Sequence, residues 1–540
     1  HVLNVHETCG ECHDSRDVSE AWTANGGHAT SGTYFDDVHG QAIVNGGLVV
    51  SADCVVCHGG HDILAAGDPE SRLSGRNVEN TCGQCHAGVL ADYKKSVHHA
   101  VRAEDEETIS ATCTNCHPTH EAQRVTPDFL AGLSSTCSDC HQDQARTFRD
   151  SYHGRISSFG YGEPVASCAD CHGFHGIVSA DDPESKVHPA NLIETCGQCH
   201  AGAHANFVSF QVHGDFHTPD DNAYVYWIRV AMEGLLLFVF VFGGIHATLW
   251  LVRSLLAREW KVRAAHKKIK GARHVRRWSG MYIGLHAAMM SSVTICGLTG
   301  LPLHFADRPW SVSIMRLLGG PGTAGLLHRV AAIVMTVTFV VYIVQIAYRL
   351  LVRREKGLFS GPNTMLPRKQ DFLDLFGMLK WFVGLGERPK FDRWTYWEKF
   401  DYWAVFWGMV IIGGSGVLLW FPVAGTRFMP GWMLNAAAVV HGHEALLALG
   451  FLFTIHLFNG HLRPDKFPVD LLFYTGRMTE DEFKHERPKE YERAVADGTL
   501  EKLFDREPRR VRTIMGLVVS GITVGLGLMM LWVMIATMLI

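Results

Sequence analysis

The residues here that could do chemistry are cysteines and histidines, and their spacing is repetitive. Fourteen of the fifteen cysteines lie in residues 1–222, in seven CxxCH runs: Cys9/Cys12/His13, Cys54/Cys57/His58, Cys82/Cys85/His86, Cys113/Cys116/His117, Cys137/Cys140/His141, Cys168/Cys171/His172 and Cys196/Cys199/His200. Such a run can attach a porphyrin through two thioethers and supply one axial imidazole to its iron. Zinc ribbons and disulfide frameworks also use close cysteine pairs, but neither needs a histidine after every pair, and zinc collects its ligands in fours. Seven haem c groups are therefore expected.

The ligand on the opposite face of each iron decides the chemistry. An open position admits substrate, whereas a second histidine restricts the iron to electron transfer. The region repeats internally: "CVVCHGGHDILAAGDPESRLSGRNVENTCGQCHAG" from Cys54 matches "CADCHGFHGIVSADDPESKVHPANLIETCGQCHAG" from Cys168. Three runs are followed at once by another histidine: CHGGH (His61), CHPTH (His120) and CHGFH (His175). Four are followed by an aromatic residue and a later histidine: "YFDDVHG" (His39), "YKKSVH" (His98), "FRDSYHG" (His153) and "FVSFQVHG" (His213). Seven distal candidates for seven irons predict bis-histidine ligation throughout, with the pairing left open. His1, His6, His28, His99, His188, His204 and His217 are spare.

Charge and hydropathy divide the chain. Residues 1–222 hold 11 Lys+Arg against 31 Asp+Glu, a formal net of −20; the rest holds 38 against 23, a net of +15. The acidic field argues for a basic periplasmic cytochrome, or a fixed partner subunit, and against nucleic acid. About thirty residues per haem leaves little polypeptide for an apolar core, so short helices and loops wrapped around porphyrins are expected. Covalent attachment of haem c in bacteria takes place outside the cytoplasmic membrane, so residues 1–222 are expected in the periplasm, with a signal peptide either removed or lying before the start of the numbering.

Residues 223–540 read as a membrane domain with helices over about 225–252, 278–303, 326–351, 401–421, 437–460 and 513–539, each long enough to cross a bilayer of membrane lipid. The loop "RSLLAREWKVRAAHKKIKGARHVRR" (253–277) carries ten Lys/Arg and one Glu, which places it in the cytoplasm. Loops 353–399 and 461–512 fall on the same side, and segment 370–386 reads as an interfacial helix. Histidines within membrane helices mark function. His328 and His441 or His443 define one level, and His286 and His456 another. Helical geometry favours His441 over His443, because His441 and His456 lie roughly 60° apart around the axis and His443 and His456 roughly 140°. Two haem b groups are expected. His246 reads as structural and Cys296 as a small core residue.

The membrane half resembles the dihaem cytochrome b subunits of formate dehydrogenases and nickel-iron hydrogenases. The likeness rests on "CGLTGLPLHF" (296–305), "GGSGVLLWFP" (413–422), "YWEKFDYWAVFWG" (396–408), "HGHEALLALGFLFTIHLFNGHLRP" (441–464) and "DKFPVDLLFYTGRMTEDEF" (465–483). It is closest to a subgroup joined to a periplasmic multihaem cytochrome c in inner-membrane quinone oxidoreductases. The resemblance implies a four-helix dihaem core in helices two to five, with helices one and six outside it. Family members space the two histidines of the last core helix about 14 residues apart; His441 and His456 are 15 apart. The resemblance also implies a quinone, of the menaquinone type, beside His456, with His461 and Arg463 just beyond.

The fold class expected is mainly α: a periplasmic heptahaem cytochrome c domain (1–222) with little regular structure, and a six-helix transmembrane bundle (223–540) in the bacterial inner membrane. The function expected is that of a quinol/quinone oxidoreductase passing electrons between the quinone pool, two b haems and seven c haems. The alternative is an electron-transfer subunit of a larger respiratory complex. A third reading, reduction of a small oxyanion, needs one five-coordinate iron.

Overall fold

A computed structural model describes residues 4–14, 30–104, 110–160, 165–261, 271–467 and 469–539. It is 64% helical with almost no strand. It falls into two compact units, His1–Gly214 and Asp215–Ile540. The division falls ahead of residue 222 because the intervening segment packs on the second unit: Arg229 Nε donates to Phe216 O at 2.9 Å, and Asn222 caps the helix that follows.

The first unit consists of short helices joined by turns. Several CxxCH runs are themselves capped helical turns. Asp53 accepts from Val56 N–H at 2.9 Å, and Thr112/Asn115 and Ser167/Asp170 form capping boxes. The two long sequence repeats fold alike. Asn77 Nδ2 donates to Pro69 O and Ser71 O, and Asn191 Nδ2 to Pro183 O and Ser185 O. Thr81 and Thr195 close equivalent turns onto Arg72 O and Lys186 O, both at 2.7 Å.

The aromatic–histidine elements have a physical logic of their own. Tyr34 Oη donates to Ala52 O at 2.8 Å and Tyr93 Oη to Ala111 O at 2.9 Å, each bond anchoring the chain just ahead of the next CxxCH run. The residue two before the histidine starts the next helical turn. Asp37 accepts from His39 N–H, Ser96 Oγ from His98 N–H and Ser151 Oγ from Gly154 N–H. The glycine after the histidine lets this turn sit on the aromatic residue's carbonyl. A Cβ on Gly40 would lie 2.0 Å from Tyr34 O, and one on Gly154 2.2 Å from Phe148 O.

In the second unit six helices are long and apolar enough to cross a membrane: Ala223–Leu256, Gly280–His304, Gly320–Leu351, Tyr396–Trp420, Trp432–Leu462 and Arg510–Thr537. The protein is a multi-pass membrane protein. Backbone polar groups in hydrocarbon must be satisfied within the segment, which helices achieve. The second helix packs on the third, and the fifth on both the first and the fourth. The fifth is the most enclosed, burying Leu434, Asn435, Ala436 and Ala437 near its start and most residues from Glu444 to Phe451. Its last two turns are π-helical, Leu452–His456 and Phe458–Leu462. Segment 370–386 contains the helix Lys369–Phe382, which buries Met378, Trp381 and Phe382 and exposes Phe372 and Phe376.

The three inter-helix connections expected on one side do meet. Strand His274–Arg276 pairs antiparallel with Arg477–Thr479, Val275 opposite Met478, and with Phe504–Asp505. Arg277 and Arg393 both hold Glu490, at 2.5 and 2.8 Å, and Arg493 pairs with Asp392. Residues 262–270 of the basic loop lie outside the described residues.

The first and fifth helices interlock at glycines: a Cβ on Gly450 would lie 2.3 Å from Phe240 Cζ. Gly450→Val is expected to destabilise the detergent-solubilised protein by about 1–3 kcal/mol through overpacking. Gly244→Val, at a position with open space around it, serves as the control. Thermal unfolding of the two variants checks this; equal midpoints would remove Gly450 from the interface.

Candidate metal centres

The structure brings the proximal and distal histidines of the first unit together in pairs. Ring centroids lie 6.2 Å apart for His39/His86, 6.1 Å for His58/His120, 6.2 Å for His98/His141, 6.2 Å for His117/His175, 6.0 Å for His153/His200 and 6.3 Å for His172/His213. The spacing has a simple meaning. A metal–imidazole bond of about 2.0 Å on each side, plus about 1.1 Å from nitrogen to ring centre, gives about 6.2 Å. The donor set therefore fits an iron between each pair, with the porphyrin supplying the remaining ligands. Among the described residues no three metal-ligating side chains converge as zinc would require, and all fifteen cysteines are free of disulfides.

The pairing follows a rule. The aromatic–histidine elements reach forward by two runs: His39, after the first, meets His86 of the third; His98 meets His141 of the fifth; His153 meets His200 of the seventh. The short CxxCHxxH histidines reach back by two: His120, after the fourth, meets His58 of the second, and His175 meets His117 of the fourth. His213, after the last run, turns back to His172 of the sixth. Among the described residues no His–His ring contact includes His13 or His61.

The two cysteines of a run are unequally enclosed. The sequence assigns both cysteines of every run to the cofactor site alike, but the chain does not enclose them alike. The first cysteine of each run is half-buried, at Cys9, Cys54, Cys82, Cys113, Cys137, Cys168 and Cys196. The second is exposed in five runs, at Cys12, Cys85, Cys116, Cys140 and Cys199, and half-buried only at Cys57 and Cys171. First cysteines of successive runs approach and shield one another: Cys9 and Cys54, Cys82 and Cys113, Cys137 and Cys168. The second cysteine stands three residues further along, near the end of its short turn, and so little chain per run leaves few side chains to cover it. Thioether attachment needs a thiol within reach rather than a buried one, so exposure leaves these five open to it.

Burial pushes His58, His98, His117, His120, His153, His172, His200 and His213 below the ordinary imidazole value. That favours the neutral ring, the form that ligates a metal. His39 is raised instead, because its Nδ1 lies 2.8 Å from Asp37 Oδ1. The spare histidines have other partners. His6 packs on Phe35, and His99 lies 3.1 Å from Glu79 Oε2 and against the Tyr93 ring. His188 and His204 accept backbone N–H groups, and His217 pairs with Asp215. His1 and His28 lie outside the described residues.

In the membrane half, His328 and His441 face one another with ring centroids 6.3 Å apart. His328 Nδ1 lies 2.9 Å from Thr299 Oγ1, and His441 Nδ1 lies 3.1 Å from Ile412 O and 3.2 Å from Ser415 Oγ. His443 turns elsewhere: its Nδ1 donates to Val439 O, and its Nε2 lies 3.8 Å from Glu233. The π-helical turn before His456 adds a residue to the helix. Fifteen residues then advance like about fourteen of α-helix, which narrows the offset between His441 and His456 from roughly 60° to roughly 40°.

At the other level His286 stacks on Phe473 at 5.5 Å, with His456 and His461 in its neighbourhood. His461 packs its edge on the same Phe473, and its Nδ1 accepts the Asp470 N–H. Arg463 is engaged away from these rings, in a two-pronged bond to Asp465 at 2.9 and 3.1 Å, with its guanidinium 4.5 Å above Trp250. Beyond the membrane segment, burial would raise Asp465, but Arg463 and Arg388 hold it well below the carboxylate range. His246 donates to or accepts from Tyr396 Oη at 2.6 Å among Trp250 and Phe382. Cys296 Sγ contacts His328 O at 3.7 Å.

Sequence reasoning missed Asp401, whose Oδ2 lies 2.9 Å from His456 Nδ1. It also missed the capping residues Asp37, Ser96 and Ser151. The latter could have been found, since a Ser or Asp stands two residues before three of the four aromatic-element histidines.

Among curated proteins, the chain is similar to a "Multiheme cytochrome MtrA" from Shewanella baltica (strain OS185), 23% identical over 175 residues, or 31% of this chain and 47% of that one. The chain thus spans about half the length of the curated relative it matches. No protein-family model matches, and no solved structure matches.

In the haem-loaded protein, His120→Ala is expected to open the coordination of the group on Cys54/Cys57, not that on its own run. Magnetic circular dichroism should count one high-spin c haem in the single variant. With Cys54 and Cys57 also changed to Ser, it should count none; a high-spin haem persisting there would refute the pairing.

Proposed function

We propose that this protein is a membrane-anchored quinol/quinone oxidoreductase whose electrons travel between the quinone pool and a periplasmic carrier by way of nine histidine-ligated haems. The observation that carries the reading is the set of facing imidazole pairs, six in the Cys-rich unit and one, His328/His441, between membrane helices. The similarity to a multihaem cytochrome supports haem c and electron transfer in the first unit. Haems bound at these pairs supply one-electron transfer, and irons closed on both faces have no position for substrate. His13 and His61 are read as the remaining c-type pair, and His286 with His456 as the second b-type pair.

The chain's own residues set the conditions for that transfer. The paired imidazoles would hold an iron from both sides, and the capped turns fix where each ring sits. Beside His456, His461 has its Nδ1 committed to the Asp470 N–H, so in the neutral ring the proton sits on Nε2 and can be donated to a quinone oxygen. His456 and His461 are the candidates for the quinone site, and the buried Arg463–Asp465 pair braces the segment that carries them. The inner membrane, with the Cys-rich unit in the periplasm, follows from haem attachment outside the cytoplasm and from the basic loop 253–277. The acidic first unit favours a basic soluble cytochrome as the electron acceptor.

A pyridine haemochrome assay of the purified chain is expected to give c and b haem at 7:2. His328→Ala is expected to remove about half the b absorbance with the c bands intact, and an unchanged b spectrum would reject that ligand. Menaquinol is expected to reduce the b haems of the isolated chain. If reduction occurs only with a co-purifying dehydrogenase subunit, the chain is an electron-transfer subunit instead. Electron transfer to a basic cytochrome is expected to slow as ionic strength rises.

A further inference from the structure

The two histidine levels in the membrane half differ in what holds the far nitrogen of each ring. At the His328/His441 level the partners are neutral: Thr299 Oγ1, Ser415 Oγ and Ile412 O. At the other level His456 Nδ1 meets a carboxylate, Asp401 Oδ2, at 2.9 Å. Asp401 sits in the second turn of the fourth membrane helix, Tyr396–Trp420, and its second oxygen, Oδ1, is buried with no hydrogen-bond partner. A carboxylate in such a place is expensive unless it is paired. Carboxylates at the other level are committed elsewhere: Glu233 to Arg229 at 2.7 Å, and Glu444 to Trp407 Nε1 at 3.4 Å.

We propose that Asp401 is a positioning residue that accepts the Nδ1 proton of His456, fixes its Nε2 as the ligating atom, and lowers the reduction potential of an iron held there below that of an iron held by His328 and His441. The inference rests on the reading of these histidines as b-haem ligands. A carboxylate on the far nitrogen gives the imidazole anionic character and makes it a stronger donor, which favours ferric iron over ferrous. The fixed negative charge acts in the same direction, and more strongly in a low-dielectric bundle than in water. Hydroxyl and carbonyl partners at the other level exert less of this pull. The resulting order is downhill from the His456 level to the His441 level. With irons bound at both levels, an electron leaving the one held by His456 would oxidise it from ferrous to ferric and reduce the one held by His328 and His441 from ferric to ferrous. The direction is toward the end of the bundle where the first helix begins, since Tyr224 stacks on Trp432 at the head of the fifth helix, at 5.6 Å.

The test is a potentiometric titration of the b absorbance in the full-length, detergent-purified protein, with EPR of the oxidised state. Asp401→Asn is expected to raise the lower b midpoint by about tenfold in its equilibrium constant, about 59 mV for one electron, and to leave the upper one in place. Thr299→Val is expected to leave the lower midpoint unchanged. If the Asn variant loses the haem, Asp401→Glu, which keeps the carboxylate, is expected to retain it with a smaller shift in the low-spin signals. Unchanged midpoints in Asp401→Asn, equal shifts of both, or loss of haem from the Asn and Glu variants alike would overturn the proposal and leave the oxidoreductase reading intact. Absence of b haem from the unmodified protein would instead overturn both together.

Discussion

The spacing between two facing imidazoles is the constraint on which the first unit depends. A pair of rings at about 6 Å leaves room for one metal between the two facing nitrogens, so the segments that carry the rings must be held to within fractions of an ångström. None of the short helices in this unit could do that through its own apolar burial. The holding is done by caps, by the tyrosine hydroxyls that tie Tyr34 and Tyr93 to the chain ahead of the next run, and by glycines that allow close backbone approach. A metal held between segments far apart in sequence would close loops that otherwise cost entropy, so cofactor binding at these pairs would contribute to folding as well as to function.

The pairing rule makes the unit a ladder. Forward-reaching histidines link the first, third, fifth and seventh runs, and backward-reaching ones link the second, fourth and sixth. His213 joins the two rails at one end, where the seventh run meets the sixth. The paired first cysteines of runs one and two, three and four, and five and six are the rungs. Segment Cys113–His120 illustrates the consequence: His117 faces the sixth run's His175, while His120 faces His58 of the second. One short stretch of chain thus ties three runs together, so a change in one segment is felt by neighbours on both sides.

Much of this was legible in the sequence. The CxxCH runs and the seven further histidines announce themselves by repetition, and six long apolar segments announce the membrane helices. The pairing was not legible, because it depends on which segments cross in space, and His61 and His120 look alike in sequence although, among the described residues, a facing histidine ring is seen for His120 and not for His61. The unequal cover of the two cysteines in a run was hidden for the same reason: Cys82 is half-buried beside Cys113 of the next run, and Cys85 is exposed. The π-helical turns were also hidden. An extra residue in a helix leaves no compositional trace. Asp401 was invisible for a different reason: an acidic residue near the start of a membrane helix, beside Glu398, reads as a helix-start charge.

In the membrane half the fifth helix carries both histidine levels, and its neighbours decide how each ring behaves. A polar side chain in the bundle needs a partner, and the identity of that partner is itself a functional setting. Thr299 and Ser415 satisfy His328 and His441 without charge; Asp401 satisfies His456 with one. The same contrast recurs in the first unit, where Asp37 holds His39 while Ser96 lies 3.4 Å from His98 Nδ1 and Thr147 lies 3.2 Å from His213 Nδ1. One design choice, carboxylate or hydroxyl on the far nitrogen, is thus available at otherwise similar pairs. Where metal sites share the same two ligands, their potentials can still differ, because the residue behind a ligand tunes it as well as the ligand itself.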